Sequence, residues 1–262
     1  MAKFFNQRSL EIYQMIKIIY SGIKAITPYF IKLIIYKILS IKIINEKRVR
    51  YRSKGIFKDY LSKNDIKKLN IGCGKNQLEG WLNTDFSPTS ENIAFIDAEK
   101  ELPFNDSTFD YVYTEHLIEH FDYHKAQFFL SEIYRVLNSK GRVRIVTPNL
   151  INLINLFDRD KSQNQKSFIK WVSEKFLVPK GVNSKNVAFV LDQYIRGWGH
   201  KFLYDYKTLS ETMMNTGFID CNEFTINNSK DSVFENIEMH GVVINDIDIN
   251  DFESLVIEAT KL

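Results

Sequence analysis

From residue 9 to residue 44 the chain is rich in Ile, Leu and Tyr, interrupted by single lysines at Lys17, Lys24, Lys32, Lys37 and Lys42. At about 100° per residue, Lys17, Lys24, Lys32 and Lys42 fall on one side of a helix, which predicts a basic amphipathic helical arm. Gly22 and Pro28 predict a break, and so two helices. After residue 66 the pattern changes to short apolar runs. Residues 69–71 read as a first strand, 81–85 as a second, 93–97 as a third and 109–113 as a fourth. Residues 131–137 have helical spacing, and 138–141, ending in Gly141, predict its C-cap. Residues 142–147 are a fifth strand closed by Pro148. Some fifty residues, 151–200, then intervene, of which 167–177 again have helical spacing. The expected fold class is α/β: a doubly wound domain over 67–262 behind a helical arm over 1–66.

The first strand runs into Gly72-Cys73-Gly74. A strand entering such a turn lets backbone N–H groups and bare Cα atoms close on a ligand. Acids follow at strand ends. Asp85 ends the second strand, where a carboxylate can accept both ribose hydroxyls. It also reads as a turn aspartate ahead of Ser87-Pro88. Asp97 ends the third and is placed to accept from an amino group such as adenine N6. The pattern that seats a pyrophosphate is absent, since Gly74 is followed by Lys75-Asn76-Gln77. This argues against a dinucleotide cofactor and for a nucleoside ligand without phosphate.

These linked motifs resemble the class I S-adenosylmethionine-dependent methyltransferases, from Leu69 to Pro148. Within them the chain looks most like small type 11-like enzymes associated with surface-polysaccharide biosynthesis. The residues behind that narrower likeness include Leu102-Pro103-Phe104, Glu115-His116-Leu117-Ile118-Glu119-His120-Phe121, Gly199-His200-Lys201 and Tyr204-Asp205-Tyr206. Two departures stand out: the usual acid before the glycine loop is Asn70, and the third glycine is Asn76. The resemblance implies a Rossmann-like seven-stranded sheet with its last strands near 218–224 and 254–260, antiparallel, preceded by a helix over 207–217. It implies S-adenosyl-L-methionine as cofactor, with Asn70, Gly72, Cys73 and Gly74 at its methionine end, Asp85 at the ribose, Asp97 at the adenine, and Glu115 lining the pocket. The expected reaction is methylation of a hydroxyl on a sugar or lipid-linked glycan acceptor. A membrane quinone or lipid acceptor, or a non-catalytic scaffold, remains open.

A hydroxyl acceptor must lose its proton, so a positioned base helps. His116, His120 and His200 are the candidates, with Glu119 as orienter or alternative base; His124 and His240 carry no candidate role. His116-Leu117-Ile118-Glu119-His120 formally matches a zinc-peptidase motif, which requires a helix. The preceding residues read as strand, so no metal is expected. The insertion over 151–200 is expected to carry the acceptor site or a lid, with Trp171, Tyr194, Arg196 and Trp198 as a candidate sugar-binding surface.

Charge adds a possible surface partner. The net charge is +3, yet residues 1–69 hold 16 Lys and Arg against 4 Asp and Glu, and the remainder 19 against 28. A basic arm on an acidic domain, with the run from Lys47 to Lys54, points to an anionic membrane surface met through residues 9–54. No stretch of eighteen uncharged apolar residues occurs, so no spanning helix is expected. No RNA-binding module and no Asn/Asp-Pro-Pro-aromatic motif is present, so no nucleic acid is expected. Two widely spaced cysteines, Cys73 and Cys221, fit a reducing cytoplasm. The expected location is cytoplasmic and peripheral, on the inner face of the membrane.

Overall fold

The computed structural model describes residues 29–183 and 185–262, with side chains from Glu46 onward. The lysine face and the break expected before residue 29 lie outside the described residues. The chain divides into two units, Met1–Arg52 and Ser53–Leu262. In the first, the described residues belong to a helix, α1, that spans Tyr29–Lys63 and continues into the second. No helix among the described residues is long and apolar enough to cross a membrane.

From Ser53 on, the end of α1 belongs to the second unit. Phe57 is buried with its ring 4.9 Å from Phe104. Tyr60 donates its hydroxyl to the Lys68 carbonyl at 3.0 Å, and Asn64 caps the helix by donating to the Tyr60 carbonyl at 2.8 Å. Seven strands follow: β1 Lys68–Ile71, β2 Leu82–Asp85, β3 Ala94–Phe95, β4 Phe109–Glu115, β5 Leu137–Pro148, β6 Phe218–Phe224 and β7 Ser254–Lys261. They form one sheet in the order β3-β2-β1-β4-β5-β7-β6. β1 to β5 run parallel, and β7 lies antiparallel between β5 and β6. This is the sheet the resemblance implied, including the antiparallel end.

Period-two alternation explains the two faces. Leu69, Ile71, Val112, Val143, Ile145 and Ile257 point into the larger core with Phe129 and Ile133 of α2, Tyr123–Val136. Each such side chain contributes about 1.5–3 kcal/mol on burial. Tyr113, Val146 and Val256 point the other way, with Trp81 and Phe234.

Two boundaries differ from the sequence pattern. β3 is two residues long, so Asp97 sits beyond it rather than at its end. The expected C-cap at 138–141 does not form. α2 ends at Val136, Leu137 is already extended, and its N–H bonds the Ile133 carbonyl. Lys140, with φ 65°, takes the left-handed conformation instead of Gly141. After β5 come α3 Leu150–Ile154, α4 Gln163–Val172, a π turn Ser173–Leu177, and α5 Val187–Arg196. α6, Tyr206–Thr216, has Asp205 as N-cap and Gly217 as C-cap. Two short helices, α7 His240–Ile244 and α8 Ile247–Glu253, separate β6 from β7.

Candidate active site

The glycine loop is built where β1 stops. Gly72 has φ 75° and Gly74 φ 55°, values that favour glycine. A Cβ on Gly72 would stand 2.9 Å from Leu117 Cδ2, whereas one on Gly74 would meet nothing within 4 Å. Asp85 braces this loop. Its Oδ2 accepts from the Gly74 N–H at 2.9 Å, and its Oδ1 accepts from the Ser87 N–H at 2.6 Å. The turn reading of Asp85 therefore describes a bond it makes. Asp97 pairs with Lys100 at 3.0 Å.

Beside the loop lies a cavity of about 280 Å³ lined by Asn70, residues 72–76, Leu78, Tyr113, Glu115, His116, Ile237, His240 and Val243. That is close to the lower end of the ~300–1,000 Å³ of small-ligand sites. Asp85 and Asp97 are outside this lining. Hydrogen bonding decides what Asn70 offers. Asn83 Oδ1 accepts from the Leu78 N–H at 2.9 Å, and its amide donates to the Leu78 and Trp81 carbonyls at 2.9 and 3.2 Å. Asn70 Nδ2 must then donate to Asn83 Oδ1, at 2.9 Å, and it also donates to the Asn76 carbonyl at 3.2 Å. Its Oδ1 remains as the acceptor, the group an ammonium needs. The Tyr113 hydroxyl is buried and makes no hydrogen bond. Burial pushes the Cys73 thiol up to about 12, so it stays neutral. A bare loop, one free amide oxygen and an orphaned hydroxyl fit an amino-acid-bearing nucleoside such as S-adenosylmethionine.

Glu115 ends β4. Its carboxylate accepts from the Met239 and His240 N–H groups at 3.2 and 3.1 Å, so it fastens the start of α7 over the cavity. His116 follows with φ 49°. Its Nδ1 lies 3.3 Å from Glu119 Oε1, while Thr147 Oγ1 donates to Glu119 Oε2 at 3.1 Å. Glu119 is fully buried. Burial opposes charge on His116, but the hydrogen bond and charge of Glu119, with Glu253 and Glu115, outweigh it and raise the pKa to about 9. Burial likewise tends to raise the Glu119 pKa, and the hydrogen bond and charge of His116 prevail and hold it below the ordinary range. His116 therefore carries a proton at neutral pH and is unsuited to be the base. His200 differs: burial lowers its pKa, keeping it neutral.

Lys201 and Phe202 donate their N–H groups to the Glu119 carbonyl at 2.8 and 3.2 Å, which docks the exit of the insertion onto the turn after β4. That brings the His200 ring to 5.1 Å from His120. Residues 118–120 form a single 3-10 turn, so the helix a zinc-peptidase motif needs is absent there.

Two expectations are corrected. His240, given no role from sequence, stacks on His116 with ring centroids 4.1 Å apart, and its Nε2 lies 3.1 Å from Glu253 Oε1. Only the fold brings in His240 and Glu253, 124 and 137 positions from His116; no local spacing signals them. The aromatic sugar surface does not form. Tyr194 is buried, and Trp171 and Trp198, both half-buried, pack against the insertion's own core of Phe168 and its neighbours, with Phe176. Trp198 stands 4.9 Å from both Tyr194 and Phe176. Arg196 points outward and pairs with Asp192 at 2.8 Å.

The chain is similar to several known proteins. Residues 69–145 match the family described as a methyltransferase domain. An uncharacterized protein of Methanocaldococcus jannaschii is 34% identical over 111 residues, covering 38% of this chain and 48% of that protein. The chain thus spans about half the length of that relative. Among solved structures, an Archaeoglobus fulgidus SAM-dependent methyltransferase is 20% identical, covering 82% of this chain and 94% of its own, with a TM-score of 0.44. The Haemonchus contortus phosphoethanolamine N-methyltransferase 2 in complex with S-adenosyl-L-methionine is 17% identical, covering 80% and 52%, with a TM-score of 0.41. Likenesses this loose carry no residue roles across. Residues 69–145 thus match the methyltransferase-domain family, and the sheet they begin continues to β7.

Proposed function

We propose that the protein transfers a methyl group from S-adenosylmethionine to an acceptor hydroxyl. One observation carries this reading: the glycine loop and the histidines at the end of β4 and in α7 line the same cavity. Ligands of α/β sheets bind at such carboxyl ends of strands. Asn70 Oδ1 and the bare surface of the glycine loop hold the methionine end, Asp85 and Asp97 the nucleoside. The cofactor supplies the methyl: the acceptor oxygen bonds to its carbon as the S–C bond breaks, and the bonding pair neutralises the sulfonium. His200 takes the hydroxyl proton.

The acceptor we propose is a sugar of a cell-surface polysaccharide or of its lipid-linked precursor, met at the inner face of the membrane. The motif resemblance supports the sugar. The basic run supports the surface, since Lys47, Arg48 and Arg50 are exposed and each such residue near anionic lipid is worth about 1 kcal/mol. Calorimetric titration of the full chain with S-adenosylmethionine tests the cofactor, with Gly74→Ala as control. Micromolar binding lost in the variant supports the reading, and labelled-methyl transfer to sugar-linked lipids then tests the acceptor. No binding by folded protein overturns it.

A further inference from the structure

Hydrogen bonding leaves several buried polar atoms at and beside the cavity without a partner, the Tyr113 hydroxyl among them. His116 Nε2 makes no hydrogen bond, and Glu253 Oε1 has only the 3.1 Å contact with His240 Nε2, an expensive condition for polar groups out of water. Both belong to one group. A ring nitrogen of His116, one of His240 and a carboxylate oxygen of Glu253 all lie within 4.8 Å of one another. We propose that His116, His240 and Glu253 hold a divalent transition-metal ion of the zinc type on the wall of the cavity.

The donor set is two imidazoles and one carboxylate. Three protein ligands of this kind leave a coordination position open, the arrangement of catalytic rather than structural zinc. Ligand atoms around a tetrahedral ion with bonds of ~2.1 Å stand about 3.4 Å apart. His240 Nε2 and Glu253 Oε1 are already 3.1 Å apart. The His116 nitrogen lies within 4.8 Å of both, so the ion draws it closer and takes the place of its proton.

Supporting residues are in place around the ligands. Metal-bound histidines usually donate their other ring nitrogen to a carboxylate, which fixes the ring. His116 Nδ1 faces Glu119 Oε1 at 3.3 Å. Glu253 Oε2 accepts from the Tyr194 hydroxyl at 2.9 Å, leaving Oε1 toward the histidines. His116 also has a left-handed φ of 49°, which costs of order 1–3 kcal/mol and persists where neighbours enforce it. A second group, Glu119, His120 and His200, has similar spacing. There both carboxylate oxygens are engaged by residues outside the group, His116 and Thr147, whereas Glu253 Oε1 faces only His240 of its own group. The ion is therefore assigned to the first group.

His116 and His240 line the cavity, so an ion there reaches its contents. Resting on the methyl-transfer reading, its role is to coordinate the acceptor hydroxyl through the open position and lower its pKa, the proton passing to His200 and the oxygen keeping the pair that bonds to carbon.

Titration of the untagged, chelator-treated full chain with Co²⁺ tests the site without methyl transfer. One Co²⁺ per chain, visible d–d absorption of a four- or five-coordinate ion and displacement by Zn²⁺ are expected. His240→Gln should weaken binding at least about tenfold while keeping the native circular dichroism. Glu253→Gln serves the same purpose if that variant misfolds. His200→Gln should change the affinity less than twofold. Absence of saturable micromolar binding overturns the site, as does binding indifferent to both ligand substitutions or lost in His200→Gln. Cofactor binding is measured separately, so its failure leaves the metal result standing.

Discussion

The two glycines of the loop separate folding from binding. Gly72 has φ 75° and its missing Cβ would come 2.9 Å from Leu117 Cδ2. Alanine there bears the left-handed backbone cost of about 1–2 kcal/mol and an overpacking cost of about 1–3 kcal/mol. Gly72→Ala should therefore lose about 2–5 kcal/mol. Gly74 has φ 55° and open space where its Cβ would go, so Gly74→Ala should lose only the backbone part, about 1–2 kcal/mol. Its methyl group stands instead in space the ligand needs. Urea unfolding of both variants, each with and without S-adenosylmethionine, reads the two effects together. At a hundredfold excess over its Kd, ligand adds about 2.7 kcal/mol to the wild type, and should add almost nothing to Gly74→Ala. Equal destabilisation of the two variants, or an undiminished ligand shift in Gly74→Ala, would refute the account of the loop.

Arg144 is fully buried on β5 and pairs with Glu238 and Glu258. Arg144→Met leaves the buried Glu238 without its cation, while Glu258 keeps Arg142 at 2.6 Å, and should cost about 3–5 kcal/mol in urea unfolding. Trp198→Ala should destabilise toward the low end of the ~3–5 kcal/mol for an aromatic deletion, since Trp198 is a packing residue, and a calorimetric titration with a sugar should show no role for its ring. Glu132 accepts from Arg135 Nε at 2.8 Å and from the Leu102 N–H at 2.7 Å. The Arg135 hydrogen bond, against the opposing effect of burial, holds its pKa below the ordinary value. A depressed folded pKa stabilises above the unfolded value of about 4.3 and is lost as pH falls through the folded one. The stability gap between wild type and Glu132→Gln should accordingly be full at pH 7 and shrink below about pH 4. Finally, if His200 is the base, methyl transfer should reach its plateau near or below pH ~6.5, because burial lowers its pKa. A rate that climbs until pH 9 would point to His116 instead.

The sheet was legible because its signals are local. Leu69 and Ile71 alternate with Asn70, and the strand stops at Gly72, so core face, ligand face and turn are written within four residues. The same alternation marks Val143 and Ile145 on β5. Boundaries failed where pairing overrode residue preference. Leu137 is drawn into β5 by pairing with Phe109, and the reversal falls on Lys140 although Gly141 stands beside it. The aromatic residues of the insertion misled for a different reason. Tyr194 lies in α5 and Trp198 just beyond its end, and residue type alone does not say what covers them. Here it is Phe168, Phe176 and the buried Ile249 of α8. Asp85 was visible as the acid after β2, while its bond to Gly74 depended on how the loop folds back.

The histidine cluster shows where sequence order gives no purchase. His116 sits at the end of β4 and Glu253 just before β7, which lies one strand further along the sheet, beyond β5. Because β7 is antiparallel, its first residue lies at the edge where β4 and β5 end, with Ser254 paired to Pro148. The antiparallel last strand therefore brings an acid from residue 253 to a site begun at residue 115. His240 reaches the same edge because two charges on the sheet, the buried Arg144 and the half-buried Glu115, hold its segment. Arg144 takes Glu238, and Glu115 takes the N–H groups of Met239 and His240. Arg144 pairs in register with Tyr113 and with Glu258, so this clamp is fixed by the sheet itself. What lies between β6 and β7 can then vary the chemistry over the cavity without disturbing the loop that holds the cofactor.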